Sequence, residues 1–259
     1  MDLDSDYPSA PVRYAFDDEE SDEELDEVLA PTVTANLTES IPAAQKLTLV
    51  VGIHGPASAY LEFLREPGAI VGHISFKQAS GNERNQRETK ISIQQISSSI
   101  VTVAVNEALD RSIVPVFTSS LVSLFASQLE RIIVLDSISP AEYISSKWGE
   151  DLTPPYLRVL SSSAAPQITK LKQLEQPNII KDLSAALVSY CEIYNVSCYV
   201  LLSLQESYLG KPIITSETLD AYSEGLDAIG LTTLLYDSEK LQALWKQQRA
   251  EISQHRLYL

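Results

Sequence analysis

Cysteine, histidine and basic residues are scarce in this chain, and each shortage excludes a class of chemistry. Two cysteines, Cys191 and Cys198, stand in 259 residues. Their spacing is not CxxC, so they read as two buried thiols in a reducing compartment. Three histidines, His54, His73 and His255, lie far apart, and no cluster of metal ligands accompanies them. No metal or cofactor is therefore expected. Lys and Arg number 19 against 35 Asp and Glu. No basic stripe exists to neutralise phosphates, which excludes duplex DNA or RNA as a direct ligand. No apolar run approaches the roughly 18 residues of a membrane span, and the start carries no charged-then-apolar leader. The expected compartment is the cytoplasm, with the nucleus as a second.

Acidic residues, in contrast, are abundant and concentrated. Residues 1–30 hold twelve Asp and Glu against one base, Arg13, so removing that −11 from the total of −16 leaves −5 for the rest of the chain. A block such as DDEESDEELDE repels itself and buries too little apolar surface to offset the entropy of ordering. Residues 1–42 are thus expected to be a disordered acidic tail and a Thr/Ala/Pro linker. The tail can dock on a basic surface of a partner or remain solvated.

From residue 43 to 250 the pattern alternates between strand and helix. KLTLVVGI (46–53), AIVGHISF (69–76), SIVTVAV (99–105), RIIVLDS (131–137) and SCYVLLSL (197–204) are short, continuous apolar runs rich in β-branched residues, the form of a strand covered on both faces. A brief alternation at Ile91 and Ile93 suggests an edge strand, and YLRVL a short strand within an irregular stretch, 145–177. Pro115 suits the first turn of a helix holding Phe117, Leu121, Leu124 and Phe125. Leu183, Ala186, Leu187, Tyr190, Cys191 and Tyr194 form one helical stripe, more core than interface, with Asp182 or Asn178 as cap. Leu219, Tyr222, Leu226 and Ile229 mark a helix ended by Gly230. Asp237 or Ser238 caps a last one carrying Leu241, Leu244 and Trp245. The fold class is a single three-layer α/β/α domain with a mainly parallel central sheet.

Catalytic motifs are missing from this frame. VVGIHGPAS supplies a strand, a glycine turn and a helix start, the geometry that points N–H groups at an anion. It matches neither G-x-G-x-x-G nor the P-loop pattern, and strand-to-helix turns need glycine anyway. No G-x-S-x-G elbow occurs. His54 is the one histidine at a strand end where a general base would sit. A small-molecule enzyme using the Gly52–Ala57 turn and His54 is therefore one reading, and a passive adaptor working through the acidic tail another.

The chain ends in QHRLYL, after a helix whose apolar stripe thins beyond Trp245. Residues 251–259 are expected to project, offering Leu257, Tyr258 and the Leu259 carboxylate to a pocket. Two longer segments give this tip a context. LEQPNIIKDLSAALVSYCEIYNVSCYVLL (174–202) resembles the corresponding helix and strand of the proteasome assembly chaperone 1 family, and LTPPYLRVL (152–160) resembles the segment just upstream. That family ends in an HbYX motif (hydrophobic residue, tyrosine, any residue), matched here by Leu257, Tyr258 and Leu259. The resemblance implies a non-enzymatic chaperone that pairs with a related second chaperone. The pair would sit on the outer face of the 20S proteasome α-subunit ring, promoting ring assembly and blocking premature docking of regulators. Leu257, Tyr258 and Leu259 are the partner-binding residues it implies. The Glu175-Gln176-Pro177-Asn178 turn reads as helix entry, Pro177 turning and Asn178 capping, with room for a partner contact.

Overall fold

Continuous apolar runs in the sequence become the centre of one sheet. The computed structural model describes residues 31–39, 46–79, 86–145, 155–208 and 211–246. Its strands are β1 (Val33–Leu37), β2 (Leu47–Gly52), β3 (Ala69–Ala79), β4 (Gln86–Ser97), β5 (Ile100–Ala104), β6 (Leu129–Ile138), β7 (Leu157–Ser161) and β8 (Ser197–Leu204). A two-residue pair, β9 (Ser207–Tyr208) and β10 (Lys211–Pro212), follows. The helices are α1 (Pro56–Glu62), α2 (Val114–Ser123), α3 (Asp182–Tyr194) and α4 (Ser216–Ala228). A further helix, α5, begins at residue 238 and is described as far as 246.

The sheet order is β1-β3-β4-β5-β2-β6-β8-β7. β5, β2, β6 and β8 run parallel, which gathers their carboxyl ends at one pole. Antiparallel strands extend the sheet on both sides, β4, β3 and β1 beyond β5, and β7 beyond β8. Side chains alternate across the pleat. Leu49, Val51, Ile132, Val134 and Val200 meet Phe117 and Leu121 of α2 and Leu183, Leu187 and Cys191 of α3. Val50, Ile133, Leu135 and Leu201 meet Tyr60 of α1, Leu219 and Tyr222 of α4 and Leu241 of α5. The three-layer α/β/α class expected from the sequence is the one observed, and its parallel strands form the centre of a mixed sheet with antiparallel flanks.

Three local expectations differ from the structure. The linker contains a strand: Val33–Leu37 pairs with Leu37 opposite Gly72 and Val33 opposite Phe76, and Val33, Ala35 and Leu37 pack on the core. Ile91 and Ile93 belong to a twelve-residue strand that is internal, between β3 and β5. Neither Asp182 nor Asn178 caps α3, whose N-cap position is Lys181, with no side-chain cap bond. Asp237 does serve α5, its carboxylate accepting the Glu239 amide at 2.9 Å. Gly230, at φ 90°, ends α4 as expected, because only glycine adopts that conformation without strain.

Helix direction fixes the two poles. α1 follows the carboxyl end of β2 and leads to Leu64, which bridges Tyr236, so α5 starts at the far pole. The Asp237 amide donates to Phe63 O at 2.6 Å and Lys240 Nζ to Leu64 O at 2.8 Å, holding that start. α5 then returns along the sheet to the start of α4, where the Trp245 indole N–H donates to Ile214 O at 2.6 Å.

Candidate functional site

Loops at the carboxyl pole enclose a cleft of about 490 Å³, the usual ligand position in an open α/β sheet. His54, Asp136, Leu109, Ile179, Asp182 and Gln205 are among its lining residues. Asp136 sits at the end of β6, where Oδ2 accepts the Ser184 hydroxyl at 2.5 Å and Oδ1 the Ser137 amide at 2.7 Å. Burial pushes its carboxyl above the ordinary range, against the pull of those two bonds and of His54. At the rim, Arg111 pairs with Asp182 at 3.6 Å and Lys181 with Glu142 at 3.3 Å. These pairs are half-exposed or more and contribute little stability.

The Gly52–Ala57 turn has a packing explanation. A Cβ on Gly52 would meet Ala57 O at 2.6 Å, and Gly55 sits at φ 97°. The Ser58 amide and hydroxyl fold back onto Ile53 O and Gly55 O, at 2.8 and 3.1 Å, and satisfy the turn internally. His54 is exposed above it. Among the described residues no group of three or more His, Cys, Asp or Glu could hold a metal ion. Cys191 and Cys198 are both buried and free. Their mutual hydrogen bond and burial hold the Cys198 thiol protonated, as expected of inert core cysteines.

Beside the cleft lies a polar knot that sequence reasoning missed. Arg158, buried on β7, donates from Nε to both Glu175 oxygens at 2.8 and 2.9 Å and stacks over Tyr156 at 4.0 Å. Tyr143 donates to the same carboxylate. Burial raises the Glu175 carboxyl, but the bonds from Tyr143, its own backbone and Arg158 outweigh it and hold the group below the usual range. The Asn178 amide accepts the Ile144 N–H and donates to the Ile144 carbonyl, both at 2.8 Å. Glu175-Gln176-Pro177-Asn178 is therefore a staple between β7 and the loop after β6, with a cis Gln176–Pro177 bond. A charged residue inside the apolar run YLRVL was the only local signal of it.

The α3 stripe is core through Leu183, Leu187 and Cys191, whereas Tyr194 is exposed and stacks on Tyr190 with ring centroids 4.3 Å apart. Leu257, Tyr258 and Leu259, like the acidic residues 1–30, lie outside the described residues. What the structure places is their root. Leu241 is buried, Trp245 half-buried and Lys246 exposed.

The fold is similar to that of two Pyrococcus furiosus proteins. One is PbaA, "an archaeal homolog of proteasome-assembly chaperone" (TM-score 0.54, 14% identity, 87% of this chain and 100% of that one). The other is PbaB, "an archaeal proteasome activator" (TM-score 0.55, 12% identity, 86% and 98%). These identities show the fold alone. A family model described as "Proteasome assembly chaperone 4" matches residues 114–259, more than half the chain. The chain belongs to the proteasome assembly chaperone 1 family. It is 29% identical over 134 residues to proteasome assembly chaperone 1 of Xenopus tropicalis, covering 49% of this chain and 44% of that protein. To the Dictyostelium discoideum protein of that name it is 29% identical over 102 residues (39% and 37%), and to the human one 31% over 97 (34% of each). The matches span less than half the length of these relatives. Among the described residues no helix is long and apolar enough to cross a membrane.

Proposed function

We propose that the protein is a non-enzymatic assembly chaperone that pairs with a related second chaperone. The pair binds the outer face of the 20S proteasome α-subunit ring, promotes ring assembly and blocks premature docking of regulators. It works in the cytoplasm and nucleus. In this reading Leu257 and Tyr258 enter a pocket between adjacent α subunits, and the Leu259 carboxylate pairs with a pocket lysine. One such tip gives modest affinity. Two linked tips on a heterodimer raise it through effective concentration.

The observation that carries the reading is that the family match runs to residue 259 and so takes in the terminal Leu-Tyr-Leu. The test is association of the full chain with assembled α rings, compared with a chain lacking 257–259 and with Tyr258→Ala. Both changes should weaken association while the fold, read by circular dichroism, is unchanged. Equal association of all three would remove the tip from the mechanism.

The strand-end cleft supports one competing reading, a small-molecule enzyme using His54 and the Gly52–Ala57 turn. Against it stands Asp136, whose carboxylate is already engaged by Ser184 and the Ser137 amide. Turnover or ligand-induced stabilisation abolished by His54→Ala would favour it.

A further inference from the structure

The strand-end cleft lies where two chain paths diverge. After β2 the chain turns onto one face of the sheet as α1, whose Tyr60 packs with Val50 and Ile133. After β5 it turns onto the other face as α2, whose Phe117 packs with Val51 and Val103. Adjacent strands β2 and β5 thus send their connections apart and leave a crevice between them. Ile53 and His54 line it from the end of β2, Val105 from the end of β5 and Asp136 from the end of β6.

Asp136 is a carboxylate without a counterion. Its two bonds come from neutral donors, the Ser184 hydroxyl and the Ser137 amide. At the rim, Arg111 pairs with Asp182, Lys181 with Glu142, and Glu107 accepts the Thr89 hydroxyl at 3.2 Å. Among the described residues none of these cations, nor His54, makes an ion pair with Asp136. His54 and Asp182 act on it from a distance and with opposite sign, and burial prevails, pushing the carboxyl upward. Two further polar side chains gather beside it. A Cβ built on Gly55 would stand 3.3 Å from Gln205 Nε2 and 4.0 Å from Ser137 Oγ, so both reach the same point next to the β2–α1 turn. The remaining wall is apolar, with Ile53, Leu109, Ile138, Ile180 and Leu202. The cleft volume of about 490 Å³ is that of a small-molecule site.

We propose that this cleft binds a small primary alkylamine, its ammonium on Asp136, Ser137 and Gln205 and its hydrocarbon chain along the apolar wall. An ammonium carries three donors and no acceptor, which matches a carboxylate, a hydroxyl oxygen and an amide oxygen converging on one point. Pairing supplies the buried carboxylate with the cation it lacks. A neutral alcohol of the same length covers the same wall without that pairing, and an alkyl carboxylate is repelled. The site requires no turnover and is independent of the proposed chaperone function.

The experiment is calorimetric titration at physiological ionic strength of the full-length protein and of Asp136→Asn with n-hexylamine, n-hexanol and n-hexanoate. Asparagine has the shape of aspartate, and its oxygen can still accept the Ser137 amide while its NH₂ donates to Ser184 Oγ, so the fold should persist, as circular dichroism will show. The expected result is one hexylamine per chain, bound at least tenfold more tightly than hexanol, with hexanoate weakest and the advantage over hexanol lost in Asp136→Asn. In wild-type protein, methyl NOEs from the hexyl chain to Ile179 or Ile180 should place it in the cleft, a reading that stands whatever the stability of the variant. Nα-acetyl-lysine amide, which carries the same ammonium on a peptide backbone, should bind at least tenfold more weakly than hexylamine. Equal or tighter binding of that probe would assign the site to a protein lysine and overturn the proposal. So would equal affinity for hexylamine and hexanol. An amine preference that survives Asp136→Asn, or hexylamine binding without NOEs to the cleft, would assign the amine to the general negative charge of the chain and overturn it as well.

Discussion

The Trp245 indole N–H donates to the Ile214 carbonyl oxygen at 2.6 Å, and this bond joins the last described turn of the chain to the entry of α4. Ile214 and Trp245 both pack, half-buried, on the cluster around Tyr222 and Leu226. Trp245→Phe keeps an aromatic ring there and removes the donor, leaving the carbonyl without its protein partner. It should cost about 1 kcal/mol, read as a lowered urea midpoint at unchanged slope.

Arg158 and Glu175 act as a unit. Arg158 is almost wholly enclosed, its side chain 4% exposed against 25% for Glu175. Arg158→Met strands a carboxylate beside Tyr143 and should destabilise by roughly 3 to 5 kcal/mol, the cost of breaking one half of a buried pair. Glu175→Gln strands the guanidinium instead. The double variant should cost less than the sum of the singles, with a coupling on the order of 1 to 3 kcal/mol from a four-member denaturation cycle. Additive costs would mean that the stack of Arg158 on Tyr156, not the ion pair, holds the knot.

The same pair sets an acid dependence. The Glu175 carboxyl is held below its ordinary value in the folded protein, despite burial, by Tyr143, its own backbone and Arg158. A depressed carboxyl contributes stability that is present above its unfolded pKa, about 4.3, and lost as pH falls through the folded value. The stability difference between wild type and Glu175→Gln should therefore be constant from pH 7 to about 5 and shrink below about 4. Urea midpoints collected across that range check it.

Legibility in the sequence follows whether the deciding contact is local. β2, β6 and β8 are buried on both faces, so continuous apolar runs announced them within a residue or two. VTANL has only an alternation of three apolar residues, and its partner strand begins more than thirty residues later, so nothing local separates it from a linker. Ile91 and Ile93 signalled a strand. Its interior position comes from β3 and β5 pairing on either side, which is tertiary information. Asn178 looked like a cap because an Asn precedes a helix, whereas its bonding partner is Ile144, 34 residues away. The terminal tripeptide was legible only as a motif.

Gly52 separates a packing role from a ligand role for the β2–α1 turn. A methyl group there would stand 2.6 Å from the Ala57 carbonyl oxygen and 2.9 Å from Leu61 Cδ1. The oxygen belongs to α1 backbone, so relief requires moving the helix off the sheet. Gly52→Ala should destabilise by roughly 1 to 3 kcal/mol, and a thermal melt will show it without any ligand. His54→Ala, on the same turn but exposed, should change stability by less than about 0.5 kcal/mol.

Two N-terminal deletions test where the domain starts. Residues 1–30 precede β1, and removing them should leave the urea midpoint unchanged within error. Removing residues 1–42 also removes β1. Val33, Ala35 and Leu37 then no longer cover the core beside Ile74 and Phe76, and the β3 edge loses its hydrogen-bonding partner along Gly72 to Phe76. Three half-buried apolar side chains at about 1 kcal/mol each, before the lost ladder bonds are counted, put the cost at roughly 3 kcal/mol. The newly bare β3 edge is also a template for strand pairing with another molecule. The longer deletion should therefore show both a lower midpoint and concentration-dependent aggregation in light scattering. Equal midpoints for the two deletions would mean that the domain begins at β2 and that β1 is dispensable.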